Sequence, residues 1–185
     1  MTSTLLTPVK WSVDDYHKMI AAGLLRDRRV ELLNGDIVEM APVEPAHEGM
    51  GDAATEHLRE QLGYQVLVRA GKAVTLPTSE PLPDIAVVER RDYADHHPYP
   101  DNIYLLIEIA NSRPERDTEV KRPTYASAGI REYWVFNLDK DELRVFRDAA
   151  DGDYQTDITW QDDAISIQAF PEVILSVNAM KRLVL

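Results

Sequence analysis

Two acidic residues, Asp84 and Glu108, stand at or within apolar segments of the chain, where burial of an unpaired charge is energetically costly. Asp84 immediately precedes the apolar run at residues 85–88, and Glu108 interrupts the apolar run at residues 103–110. If these runs are neighbouring strands, both carboxylates can reach one edge of the sheet, where they repel each other unless a proton or a cation lies between them. Carboxylate oxygens suit Mg²⁺ or Mn²⁺, which can activate water and neutralise charge on a phosphoryl oxygen. The pair therefore predicts metal-assisted phosphoryl chemistry.

A lysine follows the second acid in a segment with helical spacing. Asp117, Lys121 and Tyr125 succeed one another at intervals of four residues, so a helix through them places all three on one face. A helix packed against the strand that contains Glu108 would turn this face toward the carboxylates. Lys121 would then lower the pKa of a water nucleophile or stabilise the charge that develops in phosphoryl transfer, and Tyr125 would form a hydrogen bond with these groups.

Each of these residues also has a structural interpretation. An Asp that follows Pro83 at the start of a strand is most often a turn residue, and a Glu within an apolar strand is at least as often held in a structural salt bridge. An Asp–Lys pair at helical spacing is usually solvated and contributes only about 0.3–0.5 kcal/mol. The order and spacing of the residues together, rather than any one of them, favour a site.

The pattern along the chain predicts an α/β (α+β) fold, a mixed central β-sheet flanked by helices in a single domain. We divide it into an N-terminal helical segment at 1–28, a core at 29–147 and a C-terminal extension at 148–185. Ser12 with Asp15 is a helix N-cap signal, Gly23 ends that helix, and Asn34-Gly35 predicts a type I′ hairpin turn.

Further elements follow from periodicity and from helix-ending residues. Helices are predicted at about residues 47–62, ending at Gly63, and at 124–128, ending at Gly129 with Pro123 in the first turn or at a kink. Strands are predicted at 64–69, 72–76, 83–89 and 103–110, a second hairpin joins 132–137 to 142–147, and the tail forms shorter strands or turns.

The composition bounds the partners of the protein. The chain has 185 residues, 44% of them hydrophobic and 28% charged, which fits one globular domain. Its formal net charge of −12 disfavours nucleic-acid binding by a simple basic surface, although a local cluster or a metal ion can dominate near a cleft. The best basic cluster, at Arg26, Arg28 and Arg29, is more typical of a solvated turn than of a phosphate clamp.

Several other features narrow the class of protein. Cysteine is absent, which excludes a disulfide scaffold and a Cys-ligated zinc. No apolar run approaches a membrane span of about 18 residues, and the first residues lack a signal peptide's apolar core, so we expect a cytoplasmic protein without membrane contact. His96 and His97 lie in a polar loop that we expect to be exposed, and they are poor zinc ligands. Tyr133, Trp134 and Phe136 indicate core and hairpin packing or a dimer contact.

Residues 30–40, 83–89 and 105–139 resemble the Uma-type family of restriction endonucleases, whose fold is a variant of the PD-(D/E)XK nuclease core. The resemblance covers roughly residues 29–147 and implies that Asp84 and Glu108 hold the metal together with the backbone carbonyl of Ile109. In the wider superfamily a lysine lies two residues after the Glu, where this chain has Ala110, and the resemblance makes Lys121 its counterpart. The supporting residues are Glu31, Asp117, His47 and Tyr125. A role for His47 as a helix N-terminal or hydrogen-bonded core residue explains it about equally well.

The resemblance implies a Mg²⁺- or Mn²⁺-dependent endonuclease that binds DNA, hydrolyses its phosphodiester bonds and forms a homodimer. Two alternatives stay open at this point. The acidic charge favours a catalytically inactive nuclease-fold module for interaction or dimerisation, and it also suits a metal hydrolase that acts on a small phosphate substrate.

Overall fold

A six-stranded mixed sheet forms the centre of the domain in the computed structural model, which describes residues 7–111 and 115–182. The strands are β1 (Val30–Leu33), β2 (Asp36–Glu39), β3 (Val66–Ala70), β4 (Ile85–Glu89), β5 (Ile103–Ala110), β6 (Glu132–Asn137), β7 (Glu142–Ala150), β8 (Asp153–Trp160), β9 (Ala164–Ile165) and β10 (Leu175–Ser176). The central sheet has the order β3-β4-β5-β6-β7-β8, while β1 with β2 and β9 with β10 form two small antiparallel sheets. Only β5 and β6 are parallel among the central pairs, so a crossover connects them.

Helices lie on both faces of this sheet. They are α1 (Val13–Ala21), α2 (Pro45–Leu62), α3 (Arg122–Ser127) and α4 (Val177–Lys181), with 3₁₀ turns at Gly63–Gln65 and Pro100–Asn102. A π-helical turn at Arg116–Lys121 leads directly into α3, and the N–H of Arg122 donates to the carbonyl of Asp117. None of the helices in these two ranges is long and apolar enough to cross a membrane.

Strand β5 is buried on both faces, because α2 packs on one side of the sheet and α3 on the other. Ile107 and Ile109 belong to the core that includes α2 and α4. Leu106 and Ala110 belong to the opposite core, which includes Tyr125 of α3. Side chains alternate along a strand, so Glu108, which lies two residues from both Leu106 and Ala110, also faces α3. The local register of β5 thus turns Glu108 toward the helix that follows the π-helical turn.

The predicted fold class is confirmed, and several local signals have the expected geometry. Ser12 and Asp15 form a capping box at the start of α1. Asn34 and Gly35 both have positive φ, 50° and 78°, as a type I′ turn requires. Pro123 lies in the first turn of α3, as predicted. The stripe from Tyr133 to Phe136 is buried, which confirms the core interpretation.

Three local predictions were wrong. Residues 72–76 are not a strand of the sheet, because the N–H groups of Val74 and Thr75 donate to loop carbonyls at Pro81 and Pro98. The tail contains a strand longer than expected, since β8 spans eight residues and pairs with β7. His96 and His97 are half-buried rather than exposed, and the ring of His96 stacks on that of Tyr99 with 5.0 Å between the ring centroids.

Candidate active site

A cleft of about 870 Å³ opens where β4 begins and β5 ends. These strands are antiparallel, and Ile85 pairs with Ile107 in their ladder. One residue beyond that pair lie Asp84 and Glu108, and both line the cleft. Cross-strand neighbours share a face of the sheet, so the two acids converge because of the register alone. The cleft is also lined by Arg29, Glu31, Glu39, Glu44, His47, Ile109, Asn111, Glu115, Arg116, Asp117 and Lys121.

Glu108 is buried at the floor of this cleft and is held by two donors from the neighbouring helical segment. The ammonium of Lys121 lies 2.9 Å from Oε1, and the hydroxyl of Tyr125 donates to the same oxygen at 2.7 Å. Burial raises the pKa of Glu108 well above its ordinary value. Lys121 opposes this increase, whereas the negative charges of Asp84, Asp117 and Glu31 add to it. Glu108 therefore lies in a region with surplus negative charge.

Lys121 is buried among three carboxylates. Its ammonium lies 2.9 Å from Glu108, 3.5 Å from Glu31 and 4.0 Å from Asp117. Burial alone would lower the pKa of Lys121, but the acids raise it above its ordinary value, with Glu108 the strongest of them. The side chain consequently stays protonated and acts as a fixed positive charge, not as a proton acceptor.

Asp117 has the electrostatic character of a proton acceptor near neutral pH. Burial raises its pKa from 3.8 to about 6, against the opposing effect of Lys121. The charges of Asp84 and Glu31 raise it further, and that of Arg116 lowers it. A base whose pKa lies close to the operating pH is the most effective one for taking a proton from water.

Glu31 connects the hairpin β1–β2 to the floor of the cleft. Its carboxylate is fully buried and accepts hydrogen bonds from the guanidinium of Arg116 and from the N–H of Leu82, the latter at 3.1 Å. It also faces the ammonium of Lys121. Arg116 also donates to the carbonyl of Glu39 at 3.3 Å. This arginine was not predicted from the sequence, although it directly precedes Asp117 on the π-helical turn. Its partner on β1 is 85 residues away in sequence, so no local pattern could indicate it.

His47 lies in the cleft rather than only at the start of α2. Its Nε2 is 3.1 Å from Oδ2 of Asp84, and that oxygen also accepts from the N–H of Ile109 at 2.7 Å. The hydrogen bond with Asp84 raises the pKa of His47, which burial opposes, and the carbonyl of Ile109 raises it further. The Ile109 carbonyl thus faces the same space as Asp84 and His47.

The donor set fits a hard divalent cation. Within the described ranges, no group of three or more His, Cys, Asp or Glu side chains is placed to hold a metal, so a side-chain zinc site does not fit. Mg²⁺ needs only one or two carboxylates, because it keeps several waters. In the same ranges the hydrogen bonds of Glu108 fall on Oε1 and those of Asp84 on Oδ2, which leaves one carboxylate oxygen of each residue without a protein donor.

All eight residues predicted for the site meet at this cleft or directly behind it. Asp84, Glu108, Ile109, Lys121, Glu31, Asp117 and His47 line it, and Tyr125 is fully buried behind Glu108. Their catalytic and metal-binding roles stay predictions. Asp117 and Lys121 lie on a π-helical turn, a geometry that often occurs at functional sites and that no pattern in the sequence indicated.

Comparisons with known proteins give a family and a fold. A family model described as "Uma2: Putative restriction endonuclease" matches residues 13–178. A solved structure titled as a putative nuclease belonging to DUF820, from Anabaena variabilis ATCC 29413, is similar with a TM-score of 0.74 and 15% sequence identity. The similarity covers 94% of this chain and 98% of that one, and at this identity it concerns the fold alone. No curated protein matches the chain.

Proposed function

The chain belongs to the Uma2 family, described as "Putative restriction endonuclease", and on that premise we propose that it is a Mg²⁺- or Mn²⁺-dependent endonuclease that hydrolyses DNA phosphodiester bonds. One observation carries this proposal: Asp84 and Glu108 lie next to Ile85 and Ile107, the pair at the end of the β4–β5 ladder, and line one cleft with the buried Lys121. Each acid keeps an oxygen without a protein donor in the described part of the chain.

The residues have distinct roles in this proposal. Asp84, Glu108 and the carbonyl of Ile109 would hold the ion, which when bound lowers the pKa of water and neutralises phosphoryl charge. Lys121 stabilises the charge that develops on the phosphoryl group, because it stays protonated. Asp117, with a pKa of about 6, accepts the proton of the attacking water.

Supporting residues fix these groups in place. His47 and the N–H of Ile109 orient the carboxylate of Asp84, because both contact its Oδ2 oxygen. Tyr125 orients Glu108 in the same way. Arg116 and Glu31 hold the π-helical turn against the hairpin β1–β2, which keeps Lys121 and Asp117 at the floor.

Plasmid nicking tests the proposal directly. Purified protein is incubated with supercoiled DNA and Mg²⁺ or Mn²⁺, beside Asp84→Asn, Glu108→Gln and Lys121→Met. Each variant is expected to lose at least about 100-fold in rate, as the removal of one preorganised charge typically does. Lys140→Met, an exposed lysine outside the cleft, is the matched control and should retain the wild-type rate. Equal nicking by all five proteins would reject the proposal.

Metal binding gives a second, independent measurement. Calorimetric titration with Mg²⁺ should show binding to the wild type and a marked loss in Asp84→Asn. A protein that binds no divalent ion, nicks no DNA and runs as a stable dimer by light scattering would instead be an interaction module. We propose a homodimer for the active protein as well, so the dimer alone does not distinguish the two.

The acidic rim of the cleft favours a second candidate function. Glu39, Glu44 and Glu115 are exposed and line the mouth, where they would repel a polyanion. A metal hydrolase for a small phosphate ester would tolerate such a rim. Hydrolysis of bis(p-nitrophenyl) phosphate without any nicking of plasmid or cleavage of oligonucleotides would support this candidate over the endonuclease.

A further inference from the structure

The positive charges of the cleft differ in whether a protein acid already neutralises them. His47 contacts Asp84, Arg116 contacts Glu31, and Lys121 contacts Glu108. Arg29 also lines the cleft and is exposed. Its side chain forms no ion pair or hydrogen bond with any residue of the two described ranges. Arg29 is therefore a cationic group of the cleft that is left available to a ligand.

The backbone fixes where Arg29 points. It directly precedes β1, and its carbonyl accepts from the N–H of Met40 at 2.8 Å, which extends the hairpin ladder by one residue. Residues two apart on a strand share a face, so Arg29 lies on the same side as Glu31. Glu31 is buried at the floor beside Lys121, whereas Arg29 is exposed at the mouth.

We propose that Arg29 binds a backbone phosphate of the nucleic-acid substrate next to the phosphate that is hydrolysed; this inference rests on the proposed endonuclease function. A guanidinium presents a planar fork of donors that matches two phosphate oxygens. Because Lys121 is buried at the floor and Arg29 is exposed, a nucleic-acid strand can place one phosphate near Lys121 and a neighbouring phosphate near Arg29. Arg29 thus gives a protein of net charge −12 a local contact for a polyanion.

The chain offers a matched control three residues away. Arg26 lies in the turn that precedes Arg29 and is also exposed, but it does not line the cleft. The experiment measures kcat and KM for plasmid nicking by the wild type, Arg29→Ala, Arg29→Lys, Arg26→Ala and Lys121→Met, over about 50 to 200 mM salt. Both arginines are exposed, and thermal unfolding of each variant verifies that the fold is retained.

Arg29→Ala should lower kcat/KM about tenfold through KM, the loss expected for one charge-assisted contact. It should also reduce the slope of log(kcat/KM) against log[salt] by about one, as the removal of one phosphate contact does. The kcat/KM of Arg29→Lys should lie between those of Arg29→Ala and the wild type, while the kcat/KM of Arg26→Ala should stay within about twofold of the wild-type value.

The outcomes separate this inference from the proposed function. If Arg29→Ala and Arg26→Ala give the same kcat/KM and salt slope, Arg29 contacts no phosphate, and the inference is wrong. The endonuclease proposal still stands in that case, provided that the wild type nicks DNA and Lys121→Met does not. If the wild type does not nick DNA at all, both proposals are wrong.

Discussion

Glu108 on β5 and Glu132 on β6 are both buried carboxylates, and they lie on strands that pair with each other. Their surroundings differ. Oε1 of Glu132 accepts from Nε of Arg147 at 2.7 Å and from the indole N–H of Trp134 at 2.9 Å, and Oε2 accepts from the N–H of Gln168 at 2.7 Å. Both oxygens of Glu132 are thus paired, whereas only one oxygen of Glu108 has donors among the described residues.

The local charge differs as much as the hydrogen bonding. Burial raises the pKa of both carboxyls, but at Glu132 the N–H of Gln168, the guanidinium of Arg147 and the indole of Trp134 all oppose the increase. At Glu108 only Lys121 opposes it strongly, and three other acids add to it. Burial of a carboxylate alone therefore does not indicate a site. Among the described residues, Glu108 differs from Glu132 in having an oxygen without a donor and surplus negative charge beside a cleft.

The largest effect on stability is expected when the structural glutamate is neutralised. Glu132→Gln leaves Arg147 without its carboxylate partner. The new side-chain amide also replaces the charged acceptor of the Gln168 N–H with a weaker acceptor or with a donor. We expect a loss of about 3 kcal/mol in the free energy of unfolding, because breaking a buried ion pair leaves an uncompensated charge. Chemical denaturation followed by circular dichroism measures this loss.

Glu108→Gln is the comparison for that measurement. Glutamine keeps an acceptor for Lys121 and Tyr125, and Lys121 retains Glu31 and Asp117 as partners. We expect the free energy of unfolding to change by about 1 kcal/mol or less, while nicking is lost. A Glu108→Gln variant as unstable as Glu132→Gln would show that the two carboxylates are equivalent structural ions.

The next largest expected effect is the pH-dependent contribution of Asp117 to stability. Replacement of Asp117 should stabilise the protein, whereas Glu132→Gln should destabilise it. The pKa of Asp117 is raised from 3.8 to about 6, so the native state binds its proton more tightly than the unfolded state does. This contribution to stability is complete below pH 4 and is lost as the pH rises through about 6. Above that pH the charged carboxylate destabilises the fold by up to about 3 kcal/mol.

Asp117→Asn should therefore stabilise the protein at pH 7.5 and have little effect at pH 4, in buffer with a metal chelator. Asp139→Asn, an exposed residue outside the cleft, serves as the control and should change stability equally little at both pH values. Thermal unfolding of the three proteins at both pH values gives the comparison. A destabilised Asp117→Asn at pH 7.5 would mean that Asp117 is a satisfied partner of Lys121, as Glu132 is of Arg147.

The sequence predicted the residues of the site better than the way in which they are held. Asp84 and Glu108 could be found because the first borders an apolar run and the second interrupts one, and an acid in such a position is a local signal. Glu31 was identified only by resemblance, because its contacts with Arg116 and Leu82 join segments far apart in the chain.

The errors have the same physical origin. Residues 72–76 have the alternation of a strand, and Val74 and Leu76 are indeed buried, but their backbone is paired with loops that no sequence pattern specifies. The contrast between Glu108 and Glu132 was likewise hidden, because Gln168 and Arg147 approach Glu132 from outside its own strand. Periodicity reports which side of an element is buried, and it does not report what lies opposite.

The smallest expected effect comes from Tyr125, whose hydroxyl is one of the two donors to Glu108. Tyr125→Phe keeps the ring, which packs against Tyr133 at 4.9 Å, and removes only this hydrogen bond. We expect a loss of about 0.5–1 kcal/mol in the free energy of unfolding and a lower nicking rate, because Glu108 loses a group that orients it. Tyr154→Phe is the matched control, since the buried hydroxyl of Tyr154 has no hydrogen-bond partner in the described part of the chain. If both substitutions cost the same and leave nicking intact, the Tyr125 hydroxyl does not position Glu108, and the carboxylate depends on Lys121 alone.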